Sequence, residues 1–202
     1  LVMPGLDLLG CLTVTFFSSL SFEFTTAQSR VLNEIFNDLK QNRPMSRLLE
    51  GDVGSGKTVV AVAALLVSVL NGYQGTLMAP TEILAEQHFL TISNLFSGMA
   101  NFVKDDHLIS MKLSEGKPLM TVGLLLGSMS KKAKTNMHNQ ISTGQIDLVI
   151  GTQALIQDEV KLPKLALAVV DEQHRFGVMQ RASMRGKGEQ PHLLAMSATP
   201  IP

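Results

Sequence analysis

Segments of helical length alternate along this chain with short apolar runs. In residues 25–40 the apolar side chains recur at three- and four-residue spacing, at Val31, Leu32, Ile35, Phe36 and Leu39. This spacing predicts an amphipathic helix, for which Thr25 or Thr26 is a suitable N-cap. Further helices are predicted over residues 59–70, 82–96 and 131–141.

The short runs between these helices lack strict alternation of apolar and polar positions. They predict strands at residues 47–49, 76–79, 119–126, 146–150, 165–170 and 193–196. Apolar runs separated by helices or long connections are typical of a parallel sheet covered on both faces. The fold class is therefore predicted to be α/β, with a mostly parallel sheet. Residues 97–118 break the pattern and are interpreted as an irregular surface insertion with room for one short element.

Composition limits the alternatives. With 202 residues, 45% of them hydrophobic, the chain can bury one substantial core. Its 17 basic and 17 acidic residues cancel, so an attraction to a polyanion must be local. The single cysteine, Cys11, cannot form an intrachain disulfide.

Residues 8–22 carry no charge, which raises the possibility of a membrane segment. The stretch is shorter than a spanning helix, is interrupted by Ser and Thr, and has no basic leader. Residues 1–21 are therefore interpreted as a remnant of an upstream segment or linker, and no membrane partner is expected. Because the chain starts at Leu1 and stops after a motif-like run, we expect it to be a piece of a longer protein.

One stretch constrains the chemistry more tightly than any other. Residues 51–58 match the phosphate-binding pattern G-x-x-x-x-G-K-[ST] and read Gly51, Asp52, Val53, Gly54, Ser55, Gly56, Lys57 and Thr58. Glycines allow the backbone N–H groups to surround an anionic phosphate. Lys57 is expected to contact the β and γ phosphates of ATP, and Thr58 to offer its hydroxyl to Mg²⁺. The predicted strand before the loop and helix after it provide the context that the motif requires.

Two adjacent carboxylates follow the predicted strand at 165–170. Ligands bind at the carboxyl ends of strands in open α/β sheets, so Asp171 and Glu172 form a Walker B arrangement with the phosphate-binding loop. Asp171 would hold Mg²⁺, and Glu172 would deprotonate the water that attacks the γ phosphate. An ordinary acidic junction between a strand and a loop is the alternative interpretation.

Longer stretches carry a more specific resemblance. They read D-E-Q-H-R-F-G-V at 171–178, A-P-T-E-I-L-A-E-Q-H at 79–88 and S-A-T-P-I-P at 197–202. From about Phe22 to Pro202 the chain resembles the RecG family of superfamily 2 helicases. The related transcription-repair coupling factors typically have D-E-E-Q after the strand and an aromatic residue at the position of Ser55. The resemblance implies the first of two RecA-like motor domains, over residues 22–202, in an ATP-driven translocase that remodels stalled forks and branched DNA.

The resemblance also implies roles for individual residues. Gln28 would read adenine with Phe22 stacked on the base, although an exposed glutamine at a helix start would look the same. Residues that would line the DNA path are Pro80, Thr81, Glu82, Gly127, Ser128, Gly151 and Thr152. Residues that would couple the two sites are His174, Ser197 and Thr199. Thr81 can also cap a helix. Gln153 departs from the histidine that the family usually has at that position.

The resemblance also implies partners, and other hypotheses compete with it. A second RecA-like lobe and a wedge domain would complete the motor, and the isolated chain is expected to be inactive without that lobe. The location would be cytoplasmic in a bacterium and organellar in a eukaryote. Competing hypotheses are a translocase of the coupling-factor type, a P-loop enzyme acting on a small molecule, and a non-catalytic fragment. Lysines 131, 132 and 134 fit either a phosphate partner or a solvated helix face.

Overall fold

The computed structural model describes residues 23–112, 119–172 and 191–198. The helices within these ranges are α1 (Thr26–Leu39), α2 (Lys57–Leu70), α3 (Glu82–Phe96), α4 (Lys131–Ser142) and a 3₁₀ helix, Gln153–Ile156. The strands are β1 (Ser46–Glu50), β2 (Gln74–Met78), β3 (Ala100–Lys104), β4 (Leu108–Lys112), β5 (Leu119–Leu125), β6 (Leu148–Gly151), β7 (Leu165–Val170) and β8 (His192–Ser197). No helix of these residues is long and apolar enough to cross a bilayer.

The strands form a single sheet in the order β1-β8-β7-β2-β6-β5-β4-β3. Neighbours from β1 to β5 are parallel. At the other end of the sheet β4 pairs antiparallel with β5, and β3 pairs antiparallel with β4. Because a parallel connection must cross over the sheet, the described helices between parallel strands lie on its faces. The predicted α/β class with a mostly parallel sheet is confirmed.

Alternate residues of the central strands point to opposite faces, and each face has its own apolar cluster. Leu167 and Val169 of β7 pack in the cluster that contains α1, α2 and α3. Ala168 and Val170 pack in the cluster that contains α4 and the 3₁₀ helix. The predicted cover of helices on both faces is therefore observed. The helix after the phosphate-binding loop is apolar on most sides because its middle, residues 60–68, is buried.

Strand β1 is at one edge of the sheet, contrary to the prediction of a buried strand at 47–49. Leu49 is buried, but Leu48 is 37% exposed, since among the described strands β1 pairs only with β8. Arg47 turns outward and forms ion pairs with Glu34, at 2.9 Å, and with Asp38 of α1. These pairs attach the amphipathic helix to the edge strand.

The prediction of an irregular insertion at 97–118 is wrong for most of that segment. Strands β3 and β4 form a hairpin that continues the sheet beyond β5. In β4, Ile109 and Met111 are buried while the residues between and beside them are not, which is the period-two pattern of a strand with one covered face. The flanking charged residues hid this short alternation. Residues 113–118 lie outside the described part of the chain.

Candidate nucleotide and nucleic acid site

Most of the predicted site residues within the described ranges lie at one edge of the sheet, beyond the carboxyl ends of the parallel strands. The phosphate-binding loop follows β1, Ser197 ends β8, and Asp171 follows β7. The predicted DNA-contacting segments follow β2, β6 and β5. The order of the strands therefore separates the site into two halves: residues predicted to bind nucleotide on β1, β8 and β7, and residues predicted to bind DNA on β2, β6 and β5.

Glycines shape the loop between β1 and α2. Gly54 and Gly56 have φ angles of +83° and +82°, a left-handed conformation that only glycine adopts at little cost. A Cβ added to Gly51 would lie 2.8 Å from the Ser55 hydroxyl oxygen, so a side chain at this position would require the Ser55 hydroxyl to move. Gly56 is the N-cap of α2, so the positive end of the α2 dipole points into the concave side of the loop.

Lys57, the first residue of α2, folds its ammonium group back over the loop. Its Nζ donates hydrogen bonds to the carbonyl oxygens of Gly51 and, at 2.7 Å, of Asp52. Thr58 follows in the first helical turn. A glycine cradle, an ammonium, a hydroxyl and the carboxylates after β7 are the donor set that a nucleoside triphosphate with Mg²⁺ requires. The residues present therefore fit both groups.

Gln28 joins the start of α1 to this loop. Its Oε1 accepts from the Thr25 backbone N–H at 3.0 Å, which completes a capping box. Its Nε2 donates to the Ser55 carbonyl oxygen at 3.0 Å. Both ends of the amide are thus engaged by protein groups next to the phosphate-binding loop. Adenine recognition by Gln28 stays a prediction, and Phe22, its expected stacking partner, lies outside the described residues.

Asp171 and Glu172 lie beyond β7, where the Walker B interpretation places them. The backbone N–H of Asp171 donates to Met78 O at 2.8 Å, so the end of β7 is fixed to the end of β2. The Asp171 carboxylate accepts from the Glu172 N–H at 3.0 Å through Oδ1 and lies 2.7 Å from His88 Nε2 through Oδ2. Glu172 has a φ of +51°, a left-handed conformation that costs a residue with a Cβ about 1–2 kcal/mol. Strained backbone of this kind is characteristic of functional sites.

The predicted DNA-contacting segments are neighbours across strand ends. The Ala79 N–H donates to Gly151 O at 2.8 Å, which places residues 79–82 beside Gly151 and Thr152. Thr81 caps α3 by accepting from the Leu84 N–H, as the alternative interpretation expected. This bond uses the oxygen of the hydroxyl and leaves its proton available to another acceptor.

The Glu82 carboxylate is engaged by a neighbouring turn of the protein. Its Oε1 accepts from the Ser128 N–H at 2.9 Å. Hydrogen bonding from the Ser128 side chain, and to a smaller extent from its backbone, lowers the pKa of the Glu82 carboxyl below its ordinary value. An ionised carboxylate repels phosphate, so in this conformation Glu82 positions Gly127 and Ser128. The ammonium of Lys134 donates to the Gly127 carbonyl oxygen, which holds the same turn from the other side. A direct contact between Glu82 and DNA stays a prediction.

A family model for the DEAD/DEAH box helicase matches residues 25–202, which includes both halves of the site. The chain belongs to the DEAD/DEAH box helicase family. The predicted resemblance to superfamily 2 helicases is confirmed.

Bacterial RecG helicases are among the relatives that the chain resembles. The chain is 47% identical to the ATP-dependent DNA helicase RecG of Synechocystis, over 96% of this chain and 21% of that protein. It is 48% identical to RecG of Bacillus subtilis, over 93% of this chain and 25% of that protein. The chain thus spans about a quarter of the length of the curated relatives or less.

Solved structures agree with this assignment. A structure of RecG bound to a three-way DNA junction superposes with a TM-score of 0.75 at 40% identity and covers all of this chain and 24% of the RecG chain. The DEAD-box helicase Mss116 bound to single-stranded RNA superposes with a TM-score of 0.64 at 16% identity, over 94% of this chain and 38% of its own. The second match supports the fold alone.

The remaining predicted residues of this helicase-family chain fall into two groups. Ser197 lies beside the nucleotide half, because its carbonyl oxygen accepts from the Gly51 N–H at 3.3 Å. His174 and Thr199 lie outside the described residues, and the coupling role of all three stays a prediction. Sequence reasoning missed His88. Its signal was an imidazole on the largely apolar, buried face of α3, next to Ala85, Phe89 and Ile92.

Proposed function

We propose that this chain is one motor lobe of an ATP-dependent DNA helicase or translocase that acts on branched DNA such as stalled forks and recombination junctions. The observation that carries the proposal is the shared edge of the sheet, where the nucleotide half meets the nucleic-acid half between β7 and β2. The identity to RecG helicases and the fit to RecG on a three-way junction support the choice of branched DNA.

The nucleotide half has a role for each of its charged groups. Lys57 would contact the β and γ phosphates of ATP, and Thr58 and Asp171 would hold Mg²⁺. When bound, Mg²⁺ supplies positive charge that offsets the charge on the phosphates. Glu172 would orient the attacking water and accept its proton. Its side chain is set just beyond Asp171 by the left-handed backbone at this position.

The nucleic-acid half is suited to phosphate contacts rather than to base reading. Thr81 offers a hydroxyl proton at the N-terminal end of α3, whose dipole favours an anion. Gly151 and Thr152 lie beside it, at the end of β6. Contacts of this kind hold the phosphate backbone of a nucleic acid without recognising its base sequence. Since the chain has no net charge, the attraction must arise at this edge.

A second RecA-like lobe completes the motor in this proposal, and a wedge domain supplies the preference for branches. The nucleotide would lie between the lobes, and an arginine of the second lobe would stabilise charge on the transferring phosphate. Such an arginine is worth roughly 10³ to 10⁵ in rate. The protein that contains this chain and the second lobe is called the two-lobe protein below.

The proposal is tested by ATP turnover and strand separation. Turnover is measured for residues 1–202 and for the two-lobe protein, each with forked DNA, with RNA of matched sequence and with no nucleic acid. We expect forked DNA to stimulate the two-lobe protein, RNA to stimulate it less, and residues 1–202 to turn over ATP slowly. Robust unwinding by residues 1–202 would show that the two-lobe proposal is wrong. Equal stimulation by RNA would contradict the assignment of DNA.

A further inference from the structure

His88 and Asp171 meet at the boundary between the two halves of the site. The His88 Nε2 lies 2.7 Å from Asp171 Oδ2, within hydrogen-bond distance, although the two residues are 83 positions apart in the chain. His88 is 8% exposed, and the contact is therefore shielded from most of the solvent. The two residues belong to different halves: Asp171 to the proposed Mg²⁺ site, and His88 to the helix that begins at the proposed DNA contact.

The helix α3 is a firm connection between these points. His88 is seven residues after the N-cap Thr81, a distance of about 10 Å along the helix axis. Ala85, Phe89 and Ile92 on the same face are buried in the core, so α3 is packed against the sheet along this face. A displacement at the start of α3 therefore reaches His88 as a movement of the whole helix.

The carboxylate of Asp171 is held at both oxygens. Oδ1 accepts from the Glu172 N–H, and Oδ2 is the oxygen that faces His88. Each carboxylate oxygen can accept more than one hydrogen bond or ligand, so these two contacts fix the orientation of the group and leave lone pairs for a metal or its water. Partners of metal-binding carboxylates usually set the geometry in this way.

We propose that His88 is a positioning residue that donates a hydrogen bond to Asp171, orients this carboxylate toward Mg²⁺, and joins it to the DNA-contacting end of α3. The inference rests on the proposed function, because it takes Mg²⁺·ATP and DNA as the two ligands. His88 itself contacts neither of them. A ligand at Thr81 and a ligand at Asp171 both act on the position of α3. The change that each ligand causes in the binding free energy of the other must therefore be equal.

Two matched variants separate positioning from packing. In His88→Gln the amide nitrogen can reach the place of Nε2 and donate to Asp171. In His88→Asn the amide is shorter, reaches only the place of Nδ1, and loses the contact. Both replacements are polar, uncharged and similar in size. A third variant, Ile92→Val, perturbs the packing of the same buried face one turn further along α3 and leaves His88 in place.

The readout is the Mg²⁺ dependence of nucleotide binding by residues 1–202, titrated by calorimetry with a non-hydrolysable ATP analogue. We expect His88→Asn to raise the Mg²⁺ concentration at half-saturation by about 10- to 100-fold, the usual effect of losing a partner of a metal ligand. His88→Gln should remain close to wild type. In EDTA, binding of the analogue should be the same in all variants, since Lys57 and the loop are intact.

Different failures have different meanings. If His88→Asn has the Mg²⁺ dependence of wild type, the positioning role is overturned. It is also overturned if His88→Asn, His88→Gln and Ile92→Val shift Mg²⁺ dependence in proportion to their loss of melting temperature, because the role is then packing. If Mg²⁺ has no effect on analogue binding in the wild type, the assignment of Asp171 fails, and the proposed nucleotide site and the inference fail together.

The connection to DNA is measured in the two-lobe protein, as the factor by which forked DNA changes the affinity for the Mg²⁺-bound analogue. We expect His88→Asn to bring this factor close to 1 and His88→Gln to retain it. A factor unchanged in His88→Asn would overturn the connection through α3. No DNA effect in the wild type would overturn the connection and the DNA half of the proposed function, while the Mg²⁺ result would stand.

Discussion

The two edges of the parallel sheet carry similar polar side chains, which are partly exposed at one edge and mostly buried at the other. At the carboxyl edge, Lys57, Asp171 and Glu172 are partly exposed. At the amino edge, Gln74, Asp147 and His192 occupy the first positions of their strands or the position just before, and Gln74 and His192 are buried. The chemistry of a residue type therefore does not distinguish structure from function in this domain.

What differs is how the polar atoms are satisfied. Gln74 Nε2 donates to Ile141 O and Ile146 O, both at 2.9 Å, and Gln74 Oε1 accepts from the Lys164 N–H at 3.2 Å. The amide thereby joins β2 to the last turn of α4 and to the segments before β6 and β7. Buried polar groups satisfied in this way stabilise one packing of the core.

The carboxyl edge keeps its polar groups available. The ammonium of Lys57 bonds to carbonyl oxygens of an exposed loop, and phosphate oxygens can replace these acceptors without leaving a buried group unpaired. Glu172 is held in a strained backbone conformation rather than a relaxed one. Substitutions at the carboxyl edge should therefore change binding and rate, and substitutions at the amino edge should change stability.

The largest expected effect is that of Glu172→Gln on ATP hydrolysis. An amide has nearly the shape of the carboxylate but cannot take a proton from water, so turnover by the two-lobe protein should fall by roughly 10² or more. ATP binding should remain near wild type by calorimetry. The matched control is Asp147→Asn, which removes a carboxylate from the amino edge. If Asp147→Asn slows turnover as much as Glu172→Gln, the distinction between the edges is wrong.

Lys57→Ala should weaken ATP binding with little effect on folding. It removes a charge-assisted contact worth about 1.5–3 kcal/mol, which corresponds to a loss in affinity of roughly 10- to 100-fold. Because Lys57 is near the surface, the free energy of unfolding should change little. Calorimetric titration with ATP measures the effect, and Lys132→Ala on the exposed side of α4 serves as the control. Unchanged affinity in Lys57→Ala would refute the role of the loop.

Contiguous patterns account for what could be predicted from the sequence. The phosphate-binding loop pattern, the pair Asp171 and Glu172, and a helix cap at Thr25 or Thr26 are local features, so their spacing was enough to predict them, and the structure places the cap at Thr25. The strand at 165–170 was predicted with its observed bounds, because a parallel strand covered on both faces is a continuous apolar run. In contrast, Leu48 belongs to an edge strand, and no local feature of its run reveals the missing neighbour.

Contacts between distant residues account for what was missed. His88 and Asp171 are 83 positions apart, and Gln28 and Ser55 are 27 apart. Hydrophobic periodicity predicts the elements but not the order of strands in a parallel sheet, because each crossover can pass to either side. Without that order, a buried histidine on α3 has no identifiable partner. The hairpin of β3 and β4 was missed for a different reason, since its alternation is short and bounded by charged residues.

Gln74→Leu should be costly for stability and neutral for nucleotide binding. It removes the partner of Ile146 O and of the Lys164 N–H, whereas Ile141 O keeps the Gly144 N–H at 3.1 Å, and an unsatisfied buried group costs about 1–3 kcal/mol. We expect the free energy of unfolding in urea to fall by at least that amount. Gln145→Leu, at an exposed position of the same region, should cost much less. A loss of ATP affinity without a loss of stability would contradict the structural role of Gln74.

The smallest expected effect concerns pH and His192. Its Nδ1 accepts from the Met45 N–H at 2.9 Å, which fixes the proton on Nε2 in the neutral ring. Burial lowers the pKa of His192 below its ordinary value of 6.5, and the negative charge of Asp38 offsets only part of this. The folded protein therefore resists a second proton on this ring, whereas the unfolded chain accepts it.

Stability should consequently decrease as the pH falls below about 6.5, because in this range the unfolded state binds a proton that the folded state does not. Above about 6.5 both states are neutral at His192, and the contribution vanishes. In His192→Asn the side-chain oxygen can still accept from Met45, but the group does not titrate. Urea unfolding at a series of pH values should therefore give a shallower slope for His192→Asn than for wild type between about pH 6.5 and pH 5. Parallel slopes would show that His192 does not resist protonation, and that the amino edge tolerates a charge as the carboxyl edge does.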